Sequence, residues 1–440
     1  MVKSDGISTD TCYRLCINCI EMIQLTQHNQ SLKDLILSIE ETLLNPSVDL
    51  DSFDIVLREY LSIDEMREVG CFFTGQALAH KLVASLPNPI LSDSIVLDPA
   101  CGAGNLLIEC SRRLPVCDTL SVTLANWGKV LWGYDLYPSF IDAAKLRLII
   151  EAMTRGAQRD CGIDKAFELL PNICVKDALD IHVQDLDKVT HIVINPPFTI
   201  CESPKINFWK RGKVNSAGVF VDKYVRNLPD GCSLGFILPD VLRSGSRYGL
   251  FRDFLDSNIH GAHSIWGRFN NKTDVDVFIV SGILKRNNES KDLWKDEARD
   301  YIPLSQMFDV RVGPLVAYRD PEVGIEYPYF HAKNSFSWHV LTEATEFRKF
   351  SGTVIKPPFV IIKRTSSPND RYRAQCAVIN MNEYIAVENH MIIASPKSGK
   401  VEDCIALLNI LKSQETNDFL NNRIRLRHLT VSAIKDIPIK

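Results

Sequence analysis

The sequence contains no apolar run approaching the roughly 18 residues that a membrane-spanning helix needs. Its opening, Met1-Val-Lys-Ser-Asp-Gly6, lacks the apolar core of a signal peptide. A cytoplasmic location without membrane association is therefore expected. Net charge is scarce too: 50 Lys and Arg stand against 54 Asp and Glu, leaving −4 over 440 residues. That balance excludes a uniformly basic chain that coats nucleic acid by charge alone, while leaving room for a local basic face. Framework spacing of cysteines is missing as well. The thirteen cysteines are odd in number and scattered, so they are read as reduced thiols and not as a disulfide scaffold. Cys12, Cys16 and Cys19 share a helical face, but no second pair or histidine at ligand spacing joins them. They are read as small buried hydrophobes, and no metal is expected. What remains, 45% hydrophobic and 24% charged residues, is the composition of an ordinary globular protein of two or three domains.

Charge divides the chain more sharply than hydrophobicity. Residues 1–66 carry −8, residues 67–290 carry +1, and residues 291–440 carry +3. The first segment reads as a helical arm, with Ser31-Leu-Lys-Asp34 as a capping box that opens a helix ending at Asn45-Pro46. From about residue 70, short β-branched runs alternate with helical ones. The strands are expected at 94–98, 130–135, 191–195 and 233–238, with helices at 106–114 and 140–153. This alternation predicts an α/β, Rossmann-like, doubly wound sheet. Beyond residue 290 the pattern breaks into Pro- and Gly-punctuated pieces, read as a separate α+β domain.

Four short motifs carry chemistry. Val96-Leu-Asp98-Pro-Ala100-Cys-Gly102-Ala-Gly104-Asn105 runs a strand into an acid, a glycine turn and a helix. Ligands bind at that end of open α/β sheets, close to backbone N–H groups. A second strand ends on Asp135, 37 residues after Asp98, where an acid can hold a ribose diol. The excess over the usual spacing of about twenty fits an insertion around 112–128. Asp177 follows a third strand and is suited to accept from an exocyclic amine. The most specific motif is Asn195-Pro196-Pro197-Phe198 at the end of a fourth strand. Proline has no N–H to pair with, so the Asn195 carboxamide and the Pro196 carbonyl are left as neighbouring acceptors beside an aromatic face, a grip for a planar amine.

In this order the motifs resemble the S-adenosylmethionine-dependent amino-methyltransferases, specifically the γ-class DNA adenine-N6 methyltransferases of restriction–modification systems. Gly70-Cys-Phe-Phe-Thr74 ahead of the glycine turn is similar to that family's leading cofactor motif. The resemblance covers about 67–285, and it extends more thinly over 291–440 as a target recognition domain. It implies that Thr74, Asp98, Ala100, Gly102, Gly104, Asn105, Asp135, Leu136, Asp177 and Ala178 hold S-adenosylmethionine, together with Asn195. It implies further that Asn195, Pro196, Pro197 and Phe198 hold a flipped adenine, while Phe269 either packs on the same base or takes a core or loop position. The methyl would pass directly and in line, because two acceptors on the amine hydrogens free its lone pair.

DNA contacts must come from local clusters. Lys205, Trp209, Lys210, Arg211 and Lys213 follow the Asn-Pro-Pro-Phe motif. Lys363-Arg364 with Arg371 and Arg373 forms a second cluster, and Arg423, Arg425 and Arg427 with His428 a third. Double-stranded DNA is the expected partner of a monomer or weak dimer. The cognate restriction endonuclease is expected to be encoded separately. RNA-base or protein-glutamine methylation, or a non-catalytic DNA-recognition subunit, are the competing functions.

Overall fold

The computed structural model describes residues 26–38, 74–270, 273–287, 292–294 and 301–439. It divides into two compact units, Met1–Lys295 and Asp296–Lys440. Cys12, Cys16, Cys19 and the segment Gly70–Phe73 lie outside the described residues.

Within the first unit, helix α1 (residues 26–38) is followed by α2 (Gln76–Ala84), β1 (Val96–Asp98), α3 (Asn105–Ser111), α4 (Leu120–Val130) and β2 (Leu131–Asp135). Next come α5 (Pro138–Thr154), α6 (Ile163–Glu168), β3 (Ile173–Val175), β4 (His191–Ile194) and the hairpin β5 (Ile200–Glu202) and β6 (Lys213–Asn215). The unit continues with α7 (Ser216–Asn227), β7 (Ser233–Pro239), α8 (Asp240–Ser244), α9 (Gly249–Asn258), β8 (Ile259–Asn270) and β9 (Thr273–Leu284). Seven strands form one sheet in the order β3-β2-β1-β4-β7-β9-β8. The first five pair in parallel, whereas β9 runs antiparallel to both β7 and β8. The expected doubly wound α/β sheet is present, and its one antiparallel edge, β9 with β8, needs no crossover helix.

Both faces of the sheet are covered. Val96, Val193, Ile237, Val277 and Ile279 pack into one cluster with α2 to α5, while Leu97, Ile192, Ile194, Phe236, Phe278 and Val280 pack into another with α7 and α9. The period-two alternation of the strands sends neighbours to opposite faces. Since both faces are apolar, the strands read as continuous hydrophobic runs. Each such side chain contributes about 1.5–3 kcal/mol on burial. The long gap between Asp98 and Asp135 is filled by α4, which contacts α5, α6 and β2.

The first helix runs through Ser31, whose hydroxyl donates back to the Gln27 carbonyl at 3.1 Å. Ser31 is thus an interior position and not the cap read from the sequence. The end of that helix at Asn45-Pro46 lies outside the described residues. Helix α1 docks on α5: Asn29 Nδ2 donates to the Ser139 carbonyl at 3.0 Å, and Ile36 is 1% exposed.

The second unit is α+β. A five-stranded sheet orders β11 (Phe308–Val312), β18 (Met391–Pro396), β15 (Phe359–Lys363), β16 (Cys376–Ile379) and β13 (Val340–Leu341). A second sheet orders β14 (Phe347–Phe350), β12 (Ile325–Phe330) and β17 (Ala386–Val387), and β10 (Ile302–Pro303) pairs with β19 (Pro438–Ile439). Helices α10 (Val401–Leu411), α11 (Gln414–Arg423) and α12 (Val431–Lys435) share a core with Val360, Ile362, Cys376 and Val378.

Candidate active site

The carboxyl ends of β1, β2, β3 and β4 open onto one cleft, the place where open α/β sheets hold small molecules. Thr74, Asp98, Ala100, Gly102, Asn105, Asp135, Leu136, Asp177, Ala178, Asn195 and Pro197 all line it. Residues separated by more than a hundred positions thus meet at the switch point of the sheet, where β1 has β2 on one side and β4 on the other.

The glycine turn is held from below. Cys101 N donates to the Tyr134 carbonyl at 2.9 Å, and Gly104 N to the Cys101 carbonyl at 2.8 Å. Gly102 has φ +50° and Gly104 φ +82°, the left-handed region that glycine occupies without cost. A Cβ on Gly104 would lie 3.0 Å from the Ala144 Cβ of α5, so this residue lets the turn and that helix meet. Its place is therefore beneath the cleft, not in the lining.

Two acids dominate the electrostatics. Asp98 is 1% exposed, and one of its oxygens accepts from Ala100 N at 3.2 Å. Burial, with the Asp135 charge adding to it, pushes the Asp98 carboxyl up to about 8. Asp135 accepts from Gly102 N at 3.0 Å and Tyr137 N at 3.1 Å, and burial pushes it up to about 6 despite those bonds. Neither acid is paired with a cationic side chain among the described residues. Two desolvated carboxylates facing a cleft favour a ligand that brings positive charge and hydroxyl donors.

Other predicted residues sit differently. Asp177 is exposed and accepts from Leu179 N at 2.8 Å, shaping its own turn. The Ala178 carbonyl is fixed by the Tyr224 hydroxyl at 2.9 Å. The Asn105 amide is engaged with protein: its Nδ2 donates to the Thr74 carbonyl at 2.7 Å, and its Oδ1 accepts from Arg147 at 2.6 Å. Pro196 is buried. Phe198 stands edge-on to Phe269, centroids 5.8 Å apart and rings at 84°. Phe269 is itself 5% exposed and part of the core, so it supports Phe198. Lys176, Tyr137, Phe140 and Phe220 also line the cleft. Sequence reading missed them because Lys176 and Tyr137 merely flank a motif, while Phe140 and Phe220 resemble core positions of their helices.

The segment after Asn195-Pro-Pro-Phe is anchored to it. Ser216 Oγ donates to the Pro197 carbonyl at 2.5 Å, and Asn215 Nδ2 donates to the Phe198 carbonyl at 3.2 Å. Asn215 Oδ1 also caps α7 through Ala217 N. Trp209, expected on a DNA-facing loop, is corrected to a core position. It is 5% exposed, and its Nε1 donates to Asp222 at 2.8 Å. Lys210 and Arg211 are exposed, and their carbonyls accept from Arg247.

In the second unit the two arginine clusters converge. Ser366 N donates to the Arg427 carbonyl at 2.9 Å, Leu429 N to the Arg364 carbonyl at 2.8 Å, and Thr365 bridges to His428. Arg371 and Arg427 are exposed, while Arg364 and Arg425 are half-buried. Arg373, expected at a DNA surface, is instead completely buried. Its guanidinium donates to the carbonyls of Ser366, Ile424 and Leu426 at 3.4, 3.0 and 3.1 Å. It ties the two loops together because a guanidinium can serve several carbonyls at once.

Residues 50–240 match the model of the N-6 DNA methylase family. No curated protein matches the chain in sequence. Among solved structures, the type IIL restriction-modification enzyme MmeI, in complex with DNA, is 13% identical with a TM-score of 0.54, covering 89% of this chain and 70% of that one. The type IIG restriction endonuclease BpuSI is 14% identical, TM-score 0.40, over 88% and 60%. The modification subunit of a putative type I restriction enzyme from Vibrio vulnificus YJ016 is 17% identical, TM-score 0.37, over 53% and 48%. This chain therefore spans less than two thirds of the latter two proteins. The likeness to MmeI shows a shared fold.

Proposed function

We propose that this chain, whose residues 50–240 match the model of the N-6 DNA methylase family, transfers a methyl group from S-adenosylmethionine to the N6 amino group of adenine in duplex DNA. It would serve as the modification component of a γ-class restriction–modification system, with cleavage left to a separately encoded endonuclease. One observation carries the reading: Asn195 and Pro197, at the end of β4, line the same cleft as Asp98 and Asp135.

The cleft fits that cofactor. Its two acids, Asp98 buried and Asp135 half-buried, have no cationic side-chain partner among the described residues, whereas the cofactor carries a sulfonium, an ammonium and a ribose diol. Asp135 would accept from the hydroxyls, Asp98 would face the ammonium side with Thr74, Gly102 would allow close approach, and Leu136 would lie against the adenine. Ala100, Ala178 and Asp177 would complete the wall. When bound, the cofactor supplies an electrophilic methyl group.

The chain's own residues act on the other partner. Asn195 Oδ1 and the Pro196 carbonyl would accept both hydrogens of the target amine, drawing its lone pair out of conjugation with the ring. Phe198, braced by Phe269, would offer its face to the flipped base. Proline fixes φ on either side of the Pro196 carbonyl, so little reorganisation remains to be done at the moment of transfer. Lys210 and Arg211 in the first unit, and Arg364, Arg371, Arg425 and Arg427 in the second, would meet phosphates.

Expression in a methylation-free host followed by single-molecule sequencing tests the reading. N6-methyladenine at one short sequence is expected, and it should vanish with Asn195→Ala while cofactor binding persists. A soluble, cofactor-binding protein that leaves every adenine unmodified overturns it. Methyl groups on RNA or on glutamine would reassign the acceptor.

A further inference from the structure

The hairpin that follows the Asn195–Phe198 motif has a feature that the proposed function does not use. Strands β5 and β6 pair over only three residues each, Ile200 to Asn215, Cys201 to Val214 and Glu202 to Lys213. Their base is pinned to the motif through Ser216 and the Pro197 carbonyl, and through Asn215 and the Phe198 carbonyl. At about 3.3 Å per residue, three residues lift the connecting loop roughly 10 Å beyond that base.

At the turn of this loop stands Ile206, 58% exposed. At that exposure its side chain gains little from burial on folding. Its backbone is nevertheless firmly held. Lys205 N donates to Ser203 Oγ at 3.1 Å, and Trp209 N donates to the Ile206 carbonyl at 3.0 Å. Trp209 is locked in the core through Asp222 at 2.8 Å. Lys205 and Asn207 on either side adopt left-handed φ of +58° and +51°. Those conformations cost a non-glycine residue energy and persist only where the surroundings hold them. Four exposed cations, Lys205, Lys210, Arg211 and Lys213, ring the loop, and Glu202 is the one exposed acid among residues 200–215. An apolar tip inside a ring of positive charge matches a polyanion with an apolar interior, which is duplex DNA.

We infer that Ile206 is a wedge, entering the base stack at the position that the target adenine vacates when it turns into the cleft. Flipping breaks stacking and pairing at a cost of a few kcal/mol. An aliphatic side chain inserted between base steps offsets part of that cost and slows the return of the base. The lysines and Arg211 hold the phosphates on either side, so that the tip is aimed at the gap. The inference rests on the DNA-methyltransferase reading and adds a residue that touches neither the cofactor nor the target base.

The test uses the full-length protein and two duplexes carrying the site found by sequencing, one fully matched and one with an abasic position opposite the target adenine. In the second, pairing is already lost and flipping is easy. Ile206→Ala is expected to lower kcat/KM on the matched duplex about tenfold and on the abasic duplex less than about twofold. Ile206→Met, which keeps an apolar bulk, is expected to restore most of the loss. Equal losses on both duplexes, or none on either, overturn the wedge while leaving the methyltransferase reading intact. Absence of N6-methyladenine in the sequencing experiment that supplies the site overturns the methyltransferase reading and the wedge with it.

Discussion

Arg147 and Asn105 share a hydrogen bond of 2.6 Å between guanidinium and amide oxygen, buried beneath the floor of the cleft. The same Arg147 nitrogen reaches the Ala103 carbonyl at 2.6 Å, and the other end of the Asn105 amide holds the Thr74 carbonyl at 2.7 Å. One arginine from α5 thus fixes the start of α3 and, through Asn105, Thr74, which lies two residues ahead of α2. Arg147 therefore positions the walls of the cleft proposed to hold the cofactor. Replacement by Met is expected to weaken cofactor binding about tenfold or more, since the loss of a buried charged donor costs roughly 1.5–3 kcal/mol. Turnover at saturating cofactor should change little. Calorimetry on Arg147→Met, Asn105→Ala and the double variant checks it. The double variant should lose little beyond either single one, because the two residues act as one chain.

With Asp98 in its proposed role, cofactor affinity is expected to depend on pH. Its carboxyl is pushed up to about 8 by burial, so near pH 7 the ligand-free protein holds it mostly protonated. A bound cation favours the ionised form, and binding must then release close to one proton. Affinity should rise with pH up to about 8. For stability the sign is reversed. A raised folded-state value is a contribution fully present below the unfolded value near 3.9 and lost as pH rises through about 8. Ligand-free Tm is therefore expected to fall from pH 5 to pH 9, and Asp98→Asn should flatten that slope. Calorimetry in buffers of different ionisation enthalpy counts the proton, which the Asn variant should not release.

Gly104 is a second place where packing limits the turn. Alanine there would sit at φ +82° with its Cβ 3.0 Å from that of Ala144. The conformation alone costs about 1–2 kcal/mol, and the close approach adds to it. Gly104→Ala is expected to lower Tm by several degrees and to weaken cofactor binding. Adding Ala144→Gly should recover the part due to contact but not the part due to φ, and thermal unfolding of the three variants separates the two.

The sheet and the motif residues at its strand ends were legible in the sequence because they depend on local signals. Val96-Leu-Asp98 and His191-Ile-Val-Ile194 are apolar runs broken by an acid or a proline, and both became strands that end at the cleft. What was not legible depends on contacts between distant segments. Arg373 reads as one more basic residue in a basic loop until Ser366, Ile424 and Leu426 turn their carbonyls toward it. Trp209 reads as a loop aromatic until α7 brings Asp222 to its indole. The antiparallel pairing of β9 with both β7 and β8 is likewise a relation between strands that no hydrophobic pattern reports.

The arginines of the second unit divide by burial into two kinds, and this predicts opposite responses to mutation. Arg371 and Arg427 are exposed, and each is expected to neutralise one phosphate. Arg371→Ala should leave Tm nearly unchanged, and both Arg371→Ala and Arg427→Ala should lower DNA affinity at 50 mM salt. Each should also reduce the slope of log K against log salt by about 0.9. Arg373 donates to three carbonyls in the interior, so Arg373→Met leaves buried acceptors unsatisfied at about 1–3 kcal/mol and should lower Tm. Its effect on DNA binding would come through the two loops it joins, as a general weakening without a matching change in slope. Fluorescence anisotropy over a salt series, with thermal unfolding of the same samples, checks both. A slope change in Arg373→Met equal to that of Arg427→Ala would mean that Arg373 meets DNA after all.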